Sequence, residues 1–537
     1  MTRRLLVLFV LLAGCGGGRS DAWDRPRSLL GPIGFKDRVA WIDGARDRVV
    51  LVEVGGDAGP RVRSVPIGRR ALWAMPVRSA THERLAVITR GEEARERGQA
   101  DEPPGLYLVD VEAPEAPAIR YEIGSPFDRL AVGDDGAIAV AYFSEAGPDA
   151  DGLFRNPNEL AIVDLAAPPA AADAEAPNPF LRTVRSFGAA PLGVTLSPPM
   201  VVPGAPDATP RTFAFVMAPS SVTVLDTTHP ERREVTVRLS LDAQALVTPR
   251  EVVFAPAAGA AYLRADGARD VLQILLAFEA PTPGVADDND FQPALAELGA
   301  GGAPADVAVY DDAAGVRRVL VATPGTRELT VIEARTGQFV SVDVGDPIDR
   351  VLLLPDDGAT PPQVAVLASV GTHGQRVHIV DLAGIGDDLV PPEVHTLSLA
   401  APVFDVVAVP GRELVMVVHD SARTVLGLLD VTAATVAPLE GAGRLDSYDF
   451  TAGGDFLVGA TRGVARVGLV DLRNLHPEDV RLDDLPARVL ALTSGAIVVD
   501  HGDPYGRITI LPRAGARRDE AVVLSGFLLG GILDEEL

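Results

Sequence analysis

Cysteine and lysine are almost absent from this 537-residue chain, which has one cysteine, Cys15, and one lysine, Lys36. With no cysteine beyond residue 15, the body carries no disulfide, thiol nucleophile, Cys-ligated zinc or c-type haem attachment. With no lysine beyond residue 36, it carries no GxxxxGK phosphate loop, Ser-Lys dyad or Schiff-base lysine. The fold must therefore be held by packing. Helical signals are missing as well. No long stretch repeats with a 3.6-residue period between caps, and 44 prolines and 53 glycines interrupt the chain about every five residues.

What is present is apolar and acidic. A hydrophobic content of 47% with 23% charged residues belongs to a folded chain. The formal net charge is −26, which makes nucleic acid and anionic lipid head groups poor partners.

One phrase recurs through the body, an alternating β-rich run that usually ends in an acid. It begins with Val49-Val50-Leu51-Val52-Glu53, Leu106 to Asp110, Leu160 to Asp164 and Val222 to Asp226, and continues with Leu329 to Glu333, Val377 to Asp381, Leu426 to Asp430 and Val467 to Asp471. Leu272 to Leu276 and Ile508 to Pro512 lack the acid. These ten copies recur at a mean spacing of about 51 residues. A hairpin with a Gly/Asp turn precedes the phrase, as in Leu130 to Val132, Gly133-Asp134-Asp135-Gly136, then Ala137 to Ala141. A shorter run follows it, such as Phe339 to Val342. Four strands per unit predict an all-β fold, a β-propeller of eight to ten four-stranded blades.

The Val-x-Val-Ile-Asp style of the phrase, behind an Asp-Gly hairpin, resembles the YVTN and WD-repeat propellers. The resemblance spans nearly the whole chain and implies a fold; propellers serve many functions. It also implies that the terminal acids close strands and bond turns. The first unit shows no inner strand ahead of it, and Val522-Val523-Leu524 and Phe527-Leu528-Leu529 are surplus at the C-terminus. A C-terminal strand completing the first blade is therefore expected.

At the N-terminus, Met1-Thr2-Arg3-Arg4 leads into an apolar run from Leu5 to Ala13, then Gly14-Cys15. Nine apolar residues are about half of the roughly 20 that span a bilayer, so the layout predicts an export signal with cleavage. Leu12-Ala13-Gly14-Cys15 resembles the lipobox of bacterial lipoproteins. The resemblance implies cleavage between Gly14 and Cys15 and lipidation of Cys15, with several acyl chains where one would bind only marginally. Three segments are expected: a signal peptide at 1–14, the lipidated cysteine and a flexible tether at 15–30, and a propeller at 31–537. Removing Arg3 and Arg4 with the signal leaves 46 basic against 74 acidic residues. Gly at position 16 favours the outer membrane under the enteric sorting rule, with the periplasmic or surface face left open.

Candidate sites are few. Asp287, Asp288 and Asp290, in a Pro/Gly-rich loop, would supply hard oxygen ligands for calcium, as would Asp149 and Asp151 beside Asn156 and Asn158. A solvated acidic loop and a plain turn are the alternatives. Calcium is the only cofactor these residues suggest. The eight histidines are scattered, and Asp500-His501-Gly502-Asp503 sets an imidazole among acids in a general-base style. Trp41 and Trp73 suit either a binding face or the core. The expected function is a lipid-anchored binding scaffold for a protein or small ligand at the cell envelope. The alternative is a propeller enzyme, lactonase-like or quinone- or metal-dependent, with its site at the channel mouth.

Overall fold

The computed structural model describes residues 29–529 except 56–58, 93–100, 145–155, 172–176, 185–189, 206–208, 241–245, 279–290, 356–360, 387–388 and 442. These residues form ten four-stranded antiparallel sheets, each built from four strands consecutive in both sequence and space. Blade 1 consists of Leu29–Gly34, Arg38–Asp43, Arg48–Glu53 and Arg61–Pro66. Blades 2 to 10 follow at 71–122, 129–183, 193–238, 248–298, 306–343, 350–398, 403–440, 447–481 and 488–525. First strands of successive blades pack beside one another around most of the ring, so the first strand of each blade is the inner one. The molecule is a ten-bladed β-propeller. Every recurring run of the sequence is the third strand of a blade, and the count falls at the top of the expected eight to ten.

Alternation explains why these strands are apolar throughout. In the second strand of blade 1, Val39 and Trp41 pack toward blade 10, while Ala40 and Ile42 pack toward blade 2. A strand has a two-residue side-chain period, so a blade buried on both sides needs apolar residues at odd and even positions alike. Ten apolar clusters result, one at each seam; the Val458–Leu511 cluster, for example, joins blades 9 and 10. Each fully buried Val, Leu or Ile adds about 1.5–3 kcal/mol.

Short turns set the register. Gly454, in the inner hairpin of blade 9, has φ +62°, and a Cβ there would lie 2.1 Å from the carbonyl oxygen of Pro410 in the matching hairpin of blade 8. Only glycine meets both demands. The acids that end the third strands behave as the repeat resemblance implies where they are aspartates. Asp110 Oδ1 accepts the N–H groups of Glu112 and Ala113, and Asp164 Oδ1 those of Ala166 and Ala167. Asp226, Asp381, Asp430 and Asp471 hold their turns in the same way. Glu53 and Glu333, one methylene longer, face Arg38 and Arg335.

The ring closes differently from the sequence expectation. Blade 1 has its own inner strand, Leu29–Gly34, and Val522–Ser525 is the outer strand of blade 10. Gly31-Pro32 breaks the alternation of that first strand and its register shifts between Leu30 and Ile33, which hides it from a pattern search. Closure is by packing: Phe527 meets the Trp41 ring at 4.9 Å, and Arg48 Nη2 donates to the Leu528 carbonyl at 2.6 Å.

Candidate functional site

The inner strands carry one unpaired edge each, and several cover it with carboxylates from the preceding blade. Asp306 Oδ2 accepts the Val351 N–H at 2.7 Å, linking blades 6 and 7. Asp449 Oδ2 accepts the Ala491 N–H at 2.8 Å, linking blades 9 and 10, and its Oδ1 accepts the Phe450 N–H. Asp405 Oδ2 accepts from the Tyr448 hydroxyl at 2.7 Å, linking blades 8 and 9. Burial holds the Asp306 carboxyl above the ordinary carboxylate range, against the pull of the two N–H groups it accepts.

A cavity of about 550 Å³ opens on the inner wall where blades 10, 1 and 2 meet. Its wall includes Gly31, Pro32, Gly34, Ala74 and Ala491, residues too small to fill the space between inner strands. The irregular first strand of blade 1 turns carbonyls toward its neighbours. Arg488 of blade 10 donates to the Pro32 carbonyl at 3.2 Å, and Arg78 of blade 2 donates to that of Gly34 at 2.9 Å. Trp73 lines the same recess at 36% exposure, with the Arg129 guanidinium 4.6 Å from its ring centroid. The recess thus offers two guanidinium groups, an indole and Asp449, both of whose oxygens hold main-chain N–H groups.

Arg129, Arg350 and Arg488 are each the first residue of an inner strand, in blades 3, 7 and 10. The preceding aspartates fix two of them. Asp128 and Asp349 accept the N–H groups of Ser144 and Val370, both at 2.7 Å, which anchors the start of each strand. Among the described residues neither Arg350 nor Arg488 makes an ion pair.

The residues singled out in the sequence are dispersed. Gly14, Cys15, Asp149, Asp151, Asp287, Asp288 and Asp290 lie outside the described residues. Among those described, no group of three His, Cys, Asp or Glu side chains could hold a metal ion. His501 is bonded at both ring nitrogens: its Nδ1 lies 3.0 Å from the Leu485 carbonyl and its Nε2 2.8 Å from Thr509 Oγ1. His378 is wholly buried, 3.0 Å from Asp346 and 2.9 Å from Thr396 Oγ1. Burial pushes its pKa down, with Asp346 opposing. The two tryptophans part company, Trp41 in the core and Trp73 in the recess. Arg78, Arg488 and Asp449 were missed by the sequence reading. The available signal was an arginine opening three inner strands, twice directly after an aspartate.

No family model matches the chain, and no curated protein matches it. Solved structures do. The dihydro-heme d1 dehydrogenase NirN in complex with DHE matches at 14% identity over 85% of this chain and 75% of that one, with a TM-score of 0.41. Sqt1 of Saccharomyces cerevisiae matches at 9% identity over 74% and 94%, with a TM-score of 0.39. A eukaryotic initiation factor matches at 12% identity over 78% and 89%, with a TM-score of 0.42.

Proposed function

We propose that this propeller is a lipid-anchored extracytoplasmic protein that works by binding. Cys15 attaches it to the cell envelope, the outer membrane being favoured, and the recess at blades 10, 1 and 2 receives an anionic group of a protein or small ligand. The observation behind the reading is the arrangement of Arg488, Arg78 and Trp73 around the recess. In a chain of net charge −26, Arg488, and Arg78 with Glu83 at 4.0 Å from it, place guanidinium donors for a carboxylate or phosphate beside a partly exposed indole whose flat face suits an apolar body. Asp449, the carboxylate lining the recess, accepts the N–H groups of Phe450 and Ala491 and so holds the wall in place.

The test has two arms. Cys15→Ser should leave the precursor unprocessed at residue 15 and abolish its labelling by radioactive palmitate; processing and labelling as in the wild type would remove the anchor. Calorimetric titration with phenyl phosphate and benzoate should show binding that Arg488→Ala weakens about tenfold, the loss of about 1.4 kcal/mol expected from one charge-assisted contact. Equal binding by the variant would remove the recess from the account.

A further inference from the structure

The outer strand of each blade is paired on one side only, and that of blade 1 is set apart by its charge. Arg61–Pro66 reads Arg-Val-Arg-Ser-Val-Pro, and its first four residues are all exposed. It alone among the ten outer strands carries two arginines and no acid. Among the described residues neither Arg61 nor Arg63 makes an ion pair. The arginines in the outer strands of blades 2 and 3 are engaged, Arg120 with the Pro103 carbonyl and Arg182 with Glu234. Glu53, opposite Arg61 in the ladder, lies 3.9 Å from Arg38 instead.

The ladder determines which groups this edge offers. The Ile67 N–H donates inward to the Asp47 carbonyl at 2.8 Å, and alternate residues of a strand turn the same way, so Val65, Arg63 and Arg61 also bond the third strand. Val62 and Ser64 therefore point their N–H and C=O groups outward, where no strand meets them. Two other outer strands are as long, Thr435–Glu440 in blade 8 and His476–Arg481 in blade 9. The N–H groups of Gly441 and Leu482 bond inward to Arg423 and Ala465, and the same alternation puts Pro438 and Pro477 at outward positions. Proline has no N–H, so those two edges are interrupted. In blade 1 the only proline, Pro66, is the last residue of the strand. Val65 packs toward blade 2 with Ile42 and Leu51, so Arg61 and Arg63 share that face while Val62 and Ser64 take the other.

We infer that the outer edge of blade 1 docks an extended acidic segment of a partner protein as a fifth strand. The outward groups of Val62 and Ser64 hold its backbone, and carboxylates at every second residue stand beside Arg61 and Arg63, about 7 Å apart along the strand. The residues between them lie against Val62, which is 38% exposed, and β-branched side chains suit that face. Pairing with the same edge of a second copy is disfavoured, since it would bring the arginines of both copies together. A net charge of −26 repels an acidic segment over most of the molecule, which makes the arginine-bearing edge selective. The site is on the outer rim, apart from the recess of the inner wall, and does not depend on it.

The experiment uses the full chain and fluorescein-labelled peptides followed by anisotropy: Thr-Glu-Val-Glu-Val-Thr, its counterpart Thr-Lys-Val-Lys-Val-Thr, and the glutamate peptide N-methylated at its central residues. The glutamate peptide should bind at least tenfold more tightly than the other two, and saturating phenyl phosphate should not displace it. Its binding should slow amide hydrogen exchange in Arg61–Pro66. Ser64→Pro removes one outward N–H and keeps the inward ladder, so it should weaken the peptide about tenfold with Tm unchanged. Arg61→Gln combined with Arg63→Gln should narrow the preference for glutamate over lysine severalfold. Exchange in Arg61–Pro66 untouched by the peptide, affinity unchanged in Ser64→Pro, or displacement by phenyl phosphate would overturn the location. Equal binding of the N-methylated peptide would overturn strand addition. Equal affinity for the glutamate and lysine peptides, or a preference untouched by the double arginine variant, would overturn the acidic class of the partner. Absence of measurable binding of the glutamate peptide to the wild type would overturn the whole proposal.

Discussion

Replacing Phe527 by alanine tests how the ring is closed. Its side chain is 7% exposed, packed on Trp41 and followed by the fully buried Leu528. An aromatic ring hides about 150 Å² or more from water, and at about 25 cal/mol per Å² that is about 4 kcal/mol. A compact unfolded chain already hides part of this area, which brings the figure to about 3 kcal/mol. The value lies at the low end of the about 3–5 kcal/mol measured for buried Phe→Ala changes. Because the contact joins only blades 10 and 1, the loss should favour local opening there ahead of global unfolding. Amide hydrogen exchange in Arg38–Asp43 and Arg507–Leu511, the strands flanking the seam, should accelerate about a hundredfold, at about 1.4 kcal/mol per tenfold. Exchange in Glu328–Glu333, in blade 6, should change less than threefold. A uniform acceleration, or one below tenfold at the seam, would refute closure by the docked C-terminal segment.

Two other perturbations follow from buried charge. His419 and His378 are buried, and burial depresses both pKa values below the ordinary 6.5. Just below pH 6.5 the unfolded chain therefore binds protons that the native one refuses, so stability falls as pH drops through that value. His419→Gln should flatten the urea-midpoint profile between pH 7.5 and 5.5, and an unaltered slope would contradict the assignment. Arg211 and Asp226 form a buried pair at 2.8 Å. Arg211→Met should cost about 3–5 kcal/mol by stranding the carboxylate. Adding Asp226→Asn, which keeps the oxygen that accepts the Thr228 and His229 N–H groups and removes the unpaired charge, should recover part of that loss in urea unfolding, and a double variant no more stable than the single would count against the pair.

The repeat was legible because it rests on local rules. A third strand such as Val377 to Asp381 alternates, is bounded by turn residues and ends in an acid whose side chain bonds the next backbone N–H groups. Leu29–Gly34 was not legible, because its bulge and Gly31-Pro32 replace alternation with a shape that only neighbouring blades stabilise. The recess was hidden for a related reason. Trp73, Arg78 and Arg488 meet only when the chain's ends come together around the ring, and nothing in their local sequence carries that distance.

The sharing of each strand between two seams determines how damage spreads. In Glu328–Glu333 of blade 6, Leu329 and Val331 serve the seam with blade 7, while Ile332 serves the seam with blade 5. A slip of one residue there would exchange the side chains offered to the two neighbours, and both walls would fail together. Extra residues in a connection that touches no neighbouring blade disturb neither wall. The molecule is therefore intolerant of length change inside its strands and in inner hairpins such as that of Gly454, which rests on Pro410 of the preceding blade, and accepts it in the connections free of such contacts.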